Sequence, residues 1–384
     1  MEENKRENFT KIVSIIMISI VIVCLLLFIC YSFLQNQVKN GNVPTAQLNA
    51  TINTTIENNT NQNSINQNNT HQEPIIIEPN LNEIIEGEAQ DEKENETIAT
   101  SYYYSQLDSN AKIIYDGLKE NKEQLISGNY KIDYGTKFNT LLHTENGKET
   151  LNIAFQSAWN AFSYDNVDLF YIDVSKINLI TETTSLGVID TYRVFLGPGE
   201  NTNYFQSSFQ GAEQVKQEKQ AIEELRNKVI EATKEDDDFT KIKKIHNWLV
   251  KNLSYDETSN NKYTIYGPLR EAKAVCEGYA RSFKYILDGA KIPCVLVAGT
   301  ATDDEGKAEL HAWNYVQINQ KWYAIDVTWD DPIITGGGEL TDRYRYRYFL
   351  KGSKEFFTDH TENGTLSENS MEFKFPILSE ENYE

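Results

Sequence analysis

Two runs of aromatic and β-branched residues around a short polar break constrain the fold of this chain most strongly. The first run is His311–Ile318, the second is Lys321–Thr328, and Asn319-Gln320 separates them. Such runs around a two-residue break predict a β-hairpin, in which the residue before the turn pairs with the residue after it. The sequence therefore predicts both the two strands and their register.

This register brings two chemically useful side chains together. His311 faces Thr328 and Trp313 faces Asp326, so His311 and Asp326 are diagonal neighbours on one face of the hairpin. Diagonal neighbours lie roughly 7 to 8 Å apart at the backbone and closer at Cβ, within reach of a histidine and an aspartate side chain. A slip of one residue would place them on opposite faces.

Cys276 lies where a helix is predicted to begin. Apolar residues follow it at helical spacing and a glycine ends the pattern: Tyr279, Phe283, Ile286, Leu287 and Gly289. Free N–H groups and the positive end of the helix dipole favour a thiolate at such a position, and the thiolate is the nucleophilic form of cysteine.

These three residues predict a nucleophilic site. Cys276 can form a thioester, His311 can take the thiol proton and return it to a leaving group, and Asp326 can orient the imidazole. A single cysteine near a helix start is also compatible with a small buried apolar residue. A zinc site requires three or four ligands at close spacing, which these residues do not supply, so the sequence predicts no metal and no other cofactor.

The surrounding motifs resemble the core of the transglutaminase-like superfamily, in particular its bacterial surface-protein branch. The segments that carry the resemblance are Val275–Arg281, Ile292–Cys294, His311–Asn314 and Trp322–Pro332. The resemblance covers about residues 240 to 360 and implies a papain-like fold, with the cysteine on a helix and the histidine and aspartate on adjacent strands. It leaves the reaction open, because the superfamily includes cross-linking acyltransferases, peptidases, amidases and catalytically silent modules.

Residues 12–34 are almost continuously apolar. At about 1.5 Å per residue such a segment crosses a bilayer of about 30 Å, which predicts a transmembrane helix. A cleaved signal peptide is the alternative, but the apolar run is longer than usual and no small-residue cleavage site follows closely.

Flanking charge predicts the orientation of this helix. Lys5, Arg6 and Lys11 precede it, whereas only Lys39 follows closely. The positive-inside rule then places residues 1–11 in the cytoplasm and everything after residue 34 outside the cell membrane.

Cysteine usage agrees with a chain that contains no disulfide framework. Two of the four cysteines, Cys24 and Cys30, lie inside the predicted span. A bond between Cys276 and Cys294 would silence the nucleophile, so we expect Cys294 to be a buried thiol in a strand.

Composition divides the remaining chain into three parts. Residues 35–100 are rich in Asn, Thr and Glu and poor in aromatics, which predicts a disordered linker. Residues 101–210 predict a mixed α/β segment and residues 211–384 the catalytic domain, an α+β fold overall. The predicted elements are a helix that contains Ile113 and Leu118 and is capped at Ser109-Asn110, helices over 151–162, 213–234 and 239–252, and strands over 169–174 and 187–196.

Several other residues compete for roles in this site. His246 is a rival base, but it lies among helix-packing residues, and the three remaining histidines are less suited: His71, His143 and His360. If the predicted hairpin turn is wrong, Asp330 or Asp331 would have to orient the histidine. The backbone N–H of Cys276 is one expected oxyanion donor, and Trp248 or a nearby tyrosine is a candidate for the other.

The formal charge of -21 excludes the basic surface that nucleic-acid binding requires. The sequence thus predicts a membrane-tethered extracytoplasmic thiol enzyme that acts on amide bonds of a protein or peptidoglycan-peptide substrate, by acyl transfer or hydrolysis. The alternative is a catalytically silent module that binds a cell-wall peptide or a surface protein.

Overall fold

The computed structural model describes residues 101–332 and 341–384, which form eight α-helices and nine β-strands. The helices are α1 (Ser109–Glu120), α2 (Asn139–Leu142), α3 (Gly147–Asp165), α4 (Ala212–Glu231), α5 (Asp238–Asn252), α6 (Cys276–Gly289), α7 (Asp342–Arg345) and α8 (Ser353–Phe356). The strands are β1 (Ile132–Gly135), β2 (Asn178–Leu186), β3 (Ile189–Gly197), β4 (Ser254–Tyr255), β5 (Lys273–Ala274), β6 (Cys294–Thr302), β7 (Ala308–Ile318), β8 (Lys321–Ile325) and β9 (His360–Glu362).

The predicted transmembrane helix and linker lie outside the described residues. Within residues 101–332 and 341–384, we find no helix that combines the length and the apolar character needed to cross a membrane.

The main sheet is antiparallel, with strand order β8-β7-β6-β9. The predicted hairpin is confirmed, because β7 and β8 pair with Ile318 opposite Lys321. Asn319 and Gln320 have φ angles of 51° and 61°. Two consecutive positive φ angles are typical of a type I′ turn, which matches the twist of the strands it joins.

Helix α6 packs on this sheet and carries Cys276 at its first position. Its apolar face is buried, including Phe283, Ile286 and Leu287. The Asn314 amide on β7 donates to the carbonyl oxygen of Ala280 at 3.0 Å, so a buried hydrogen bond joins sheet and helix. The α+β arrangement predicted around the hairpin is therefore present.

The segment before residue 211 has its own antiparallel sheet, in the order β1-β3-β2. The predicted helices around 113 and 155 and the strand over 187–196 are confirmed as α1, α3 and β3. The predicted strand over 169–174 is wrong. Only Ile172 makes a β-bridge, with Phe205, and a 3-10 helix begins at Val174 because the Asp173 side chain accepts a hydrogen bond from the Ser175 N–H.

Buried side chains join the two halves of the described chain. Tyr103 is fully buried, and its hydroxyl donates to the backbone oxygen of Leu296 on β6. The carboxylate of Asp165 accepts hydrogen bonds from the backbone N–H groups of Tyr103 and Tyr104. The start of the described chain is thus held against the sheet that carries the site.

Candidate active site

Cys276 is the first residue of α6, and the residue before it, Val275, has extended backbone angles. As the first helical residue, Cys276 has an N–H group without an intrahelical acceptor. Its half-buried side chain packs against a small cluster formed by Ala280, Leu296 and Ala312. This packing holds the start of α6 against β7, the strand that carries His311.

The Nε2 atom of His311 lies 2.7 Å from Oδ2 of Asp326, and both side chains are buried. Strand pairing itself stops one step earlier, at Asn314 opposite Ile325. Asp326 then leaves the hairpin, and its N–H donates to the carbonyl oxygen of Tyr348. The predicted partner of His311 is therefore the observed one, although the side chains rather than the strand ladder make the contact.

The other carboxylate oxygen of Asp326 is held by the backbone. Oδ1 accepts hydrogen bonds from the N–H groups of Thr328 at 3.0 Å and Trp329 at 3.2 Å. Burial alone would raise the pKa of Asp326, but the charge and hydrogen bond of His311 outweigh it and hold that pKa well below its usual value. Asp326 is therefore a fixed carboxylate whose Oδ2 points at the imidazole.

His311 lies between this carboxylate and the thiol. Burial acts to lower the pKa of His311, but Asp326 and Cys276 outweigh it and raise that pKa well above the ordinary value. Cys276 is also a hydrogen-bond partner of His311. Because Nε2 is taken by Asp326, Nδ1 is the ring nitrogen left for the thiol.

The segment that holds all three side chains matches a known family. Residues 224–327 match the family model of the transglutaminase-like superfamily. These residues form a transglutaminase-like core. Cys276, His311 and Asp326 all lie inside the matched interval.

The chain is also similar, over part of its length, to two curated proteins. The chain is 28% identical over 137 residues to the kyphoscoliosis peptidase of Mus musculus and equally to that of Homo sapiens. Each match covers 32% of this chain and 21% of the relative. The chain thus spans about a fifth of the length of the curated relatives it matches.

Solved structures also show similarity to part of the chain. The crystal structure of a TGase is 16% identical with a TM-score of 0.26, and the match covers 46% of this chain and 50% of that one. The periplasmic domain of TgpA from Pseudomonas aeruginosa is 16% identical with a TM-score of 0.22, covering 36% of this chain and 54% of that one. The assignment of the transglutaminase-like core rests on the family match rather than on these superpositions.

His360 also belongs to this site, although the sequence favoured it less than His246 as a base. Its Nε2 lies 3.3 Å from Oδ2 of Asp326, and its Nδ1 lies 2.6 Å from Oδ1 of Asp359. It comes from β9, at the opposite edge of the sheet from the strand that leads into Asp326. No spacing rule in the sequence links residues that are 34 positions apart on non-adjacent strands.

This arrangement also creates a donor set that the sequence did not predict. One ligand atom each from His311, Asp326 and His360 lies within 4.8 Å of the others, so the group could hold a metal ion. Each of these atoms is already engaged in a hydrogen bond within the cluster. A metal ion would have to replace the protons that now join them.

A second buried histidine and aspartate pair lies next to the first. His246 Nε2 lies 3.0 Å from Oδ2 of Asp330, and both side chains are fully buried. Burial raises the pKa of Asp330 to about 6. Asp331 instead accepts a hydrogen bond from the Tyr279 hydroxyl at 2.7 Å. Neither alternative carboxylate is therefore bonded to His311, and His246 has a carboxylate partner of its own.

Two tyrosines lie within electrostatic range of the thiol. Burial and then the charge of Cys276 raise the pKa of Tyr255, and burial, Glu277 and Cys276 raise that of Tyr263 to about 12. The indole N–H of Trp248 is buried and has no hydrogen-bond partner among the described residues. Tyr255 and Tyr263 thus lie near Cys276, and Trp248 keeps an N–H donor that no described residue uses.

Proposed function

We propose that this protein is a thiol enzyme that acts on amide bonds through a thioester on Cys276. The observation that carries the proposal is the continuous contact from the Asp326 carboxylate through the His311 imidazole to the Cys276 thiol. A buried carboxylate at one ring nitrogen and a thiol at the other is the arrangement that activates a cysteine nucleophile.

The reaction proceeds in two steps at this site. In the first, the Cys276 sulfur attacks the amide carbon, and the carbon–nitrogen bond then breaks. The amine leaves with a proton from His311, and the acyl group stays on the sulfur as a thioester. In the second, water or another amine attacks the thioester carbon while His311 takes its proton. The carbon–sulfur bond then breaks, and His311 passes the proton to the sulfur, which restores the thiol.

The balance between amine and water determines whether the enzyme transfers or hydrolyses. An acyl-enzyme shielded from water favours transfer to an amine. The family match supports both outcomes equally, because it covers the core alone. The proposed substrate is a protein or a peptidoglycan peptide, and no cofactor takes part in either step.

The proposed location is the outer side of the cell membrane. The apolar residues 12–34 would anchor the chain, with residues 1–11 inside and the transglutaminase-like core outside. In that location the core would meet wall peptides and surface proteins rather than cytoplasmic substrates.

The experiment uses the full chain in detergent with an amide-bearing activity probe and a labelled primary amine. Mass spectrometry of the digested protein locates the acyl group, and the label reports its transfer. We expect acylation of Cys276 and its loss in Cys276→Ala. Cys294→Ala is the matched control, because Cys294 is the other cysteine among the described residues and is fully buried.

The same experiment tests the silent-module alternative. A chain that binds wall peptide but leaves Cys276 unacylated over long incubation would overturn the enzymatic proposal. Acylation followed by release of free acid would assign hydrolysis, whereas incorporation of the labelled amine would assign transfer.

A further inference from the structure

A third tyrosine near the thiol comes from outside the matched family interval. Tyr164 lies in the last turn of α3, in the segment before residue 211, whereas the family match begins at residue 224. Its half-buried side chain packs against Ala280, Leu296 and Ala312, the same cluster that Cys276 contacts. The tyrosine and the cysteine thus border one small group of buried residues.

The hydroxyl of Tyr164 is a hydrogen-bond donor that the protein does not use. Among the described residues, none accepts a hydrogen bond from it. Burial and then the charge of Glu277 raise the pKa of Tyr164, Arg281 opposes this increase, and the charge of Cys276 adds to it. The hydroxyl therefore keeps its proton near neutral pH and can donate it to a hydrogen bond.

The position of the Tyr164 ring is fixed from two sides. The Arg281 guanidinium lies over the ring, 5.3 Å from its centroid, and donates to the backbone oxygen of Ser163 at 2.8 Å. Tyr103 meets the ring in a T-shaped arrangement, with 5.4 Å between the centroids. A side chain held in this way loses little further conformational freedom when it binds a ligand.

The charged groups beside Tyr164 are paired with each other. Glu277 follows Cys276 on α6, and its carboxylate forms an ion pair with Arg281, one turn further along the helix, at 2.8 Å. This pairing leaves a neutral hydroxyl as the donor without a partner. A neutral donor suits the carbonyl oxygen of a peptide group, which is itself uncharged.

We propose that Tyr164 is a specificity-determining residue: its hydroxyl donates a hydrogen bond to a backbone carbonyl oxygen of a peptide substrate, next to the amide that Cys276 attacks. The inference deepens the proposed function and rests on it in one respect, since it takes Cys276 as the nucleophile. It gives the segment before residue 211 a part in the active site that the transglutaminase-like core does not supply.

The test variant is Tyr164→Phe, which removes the hydroxyl and keeps the ring under Arg281. Because no described residue bonds to this hydroxyl, the variant should fold like the wild type, and thermal unfolding checks this. The matched control is Tyr130→Phe. Tyr130 belongs to the same segment, is exposed, and lies outside the cluster that Cys276 contacts.

The experiment compares alkylation of Cys276 by three reagents in the full chain in detergent. Iodoacetamide carries no peptide. Iodoacetyl-trialanine amide extends a peptide on one side of the reactive carbon, and acetyl-trialanine chloromethyl ketone extends one on the other side. Peptide mass spectrometry locates each label and gives its rate.

In Tyr164→Phe we expect the rate with one of the two peptide reagents to fall roughly 3- to 10-fold, the order for one neutral hydrogen bond. The rate with iodoacetamide should stay the same, and Tyr130→Phe should leave all three rates in place. With an amide substrate, the same factor should appear in KM rather than in kcat, because the hydrogen bond is present in both the ground state and the transition state.

Unchanged rates with both peptide reagents in Tyr164→Phe would overturn the proposal. An equal loss with all three reagents would overturn it too, because Tyr164 would then act on the thiol and not on the substrate. The alkylation rates need no amide turnover. A chain that shows the expected selectivity but neither cleaves nor transfers an amide would remove the proposed function and keep Tyr164 as a peptide contact.

Discussion

The Nε2 atom of His311 lies 2.7 Å from Oδ2 of Asp326, although the two residues are 15 positions apart and on different sides of a β-turn. The turn at Asn319-Gln320 sets the register that brings them to the same face. Asp326 in turn is fixed by the backbone N–H groups of Thr328 and Trp329. A local turn and a local carboxylate-binding loop thus align the imidazole, and contacts with Tyr348 and His360 add long-range support to Asp326.

Asp326→Asn should reduce turnover strongly while the protein stays folded. The change removes the charge that stabilises the imidazolium and presents an amide to the ring nitrogen. We expect turnover to fall roughly 100-fold. The loss should be smaller than in serine triads, because a cysteine thiol is a better nucleophile without a base than a serine hydroxyl. His311→Ala should lose more, since it removes the base. Turnover of the activity probe measures both.

Asp331→Asn is the control for that comparison, because Asp331 bonds to Tyr279 and not to His311. It should keep close to the wild-type rate. Normal turnover in Asp326→Asn alongside an inactive His311→Ala would contradict the pairing of the two residues.

Cys276 should alkylate much faster than Cys294 near neutral pH. Cys294 is fully buried, and burial raises the pKa of its thiol well above the ordinary value. Cys276 is half-buried and lies beside His311 at a helix start. Timed iodoacetamide labelling with peptide mass spectrometry gives both rates in one sample, and equal slow labelling would indicate an inert core cysteine.

The pH dependence of stability should reveal the charged state of His360. A histidine whose folded pKa is raised contributes stability that is fully present below about pH 6.5, its unfolded pKa, and that is lost as pH rises through the folded pKa. Asp326 has a depressed pKa, so its contribution is present above about pH 3.9 and is lost as pH falls through the folded value.

The difference in free energy of unfolding between wild type and His360→Gln should therefore be largest between about pH 4 and 6.5 and should shrink at higher pH. Urea denaturation at a series of pH values measures this difference. A difference that grows as pH rises would show that His360 is buried in its neutral form.

Gln320→Gly should stabilise the hairpin. Gln320 has a φ angle of 61°, in the left-handed region where a side chain costs energy and glycine does not. We expect a gain of about 1 kcal/mol in the free energy of unfolding. Gln317→Gly, in the strand of the same hairpin, should instead lose about 0.5 to 1 kcal/mol. Denaturant melts compare the two, and destabilisation by both would contradict the turn assignment.

Protease added to intact cells should release the folded core by cutting between about residues 36 and 100. The composition of that segment predicts an accessible linker, and such segments are preferred sites of proteolysis. Mass spectrometry of the released fragment identifies the cut. Cleavage confined to residues 1–11 would reverse the proposed orientation.

Local sequence patterns were sufficient for the hairpin, for the helix that begins at Cys276 and for the pairing of His311 with Asp326. All three depend on short-range rules. A two-residue turn sets the register, and the spacing of apolar residues sets the helix. The same rules failed over 169–174, where only Ile172 makes a β-bridge and the Asp173 side chain accepts a hydrogen bond from the Ser175 N–H as a 3-10 helix begins.

Only the tertiary structure placed His360 against Asp326. The two come from opposite ends of the sheet order, and His360 shares its surroundings with Phe356, Trp329 and Tyr348. Periodicity in a sequence describes one helix or strand at a time. It therefore identified Cys276, His311 and Asp326 from the elements that carry them. Which distant side chain closes over the Asp326 carboxylate depends on how strands and loops pack, and that packing alone gave the buried carboxylate its second imidazole.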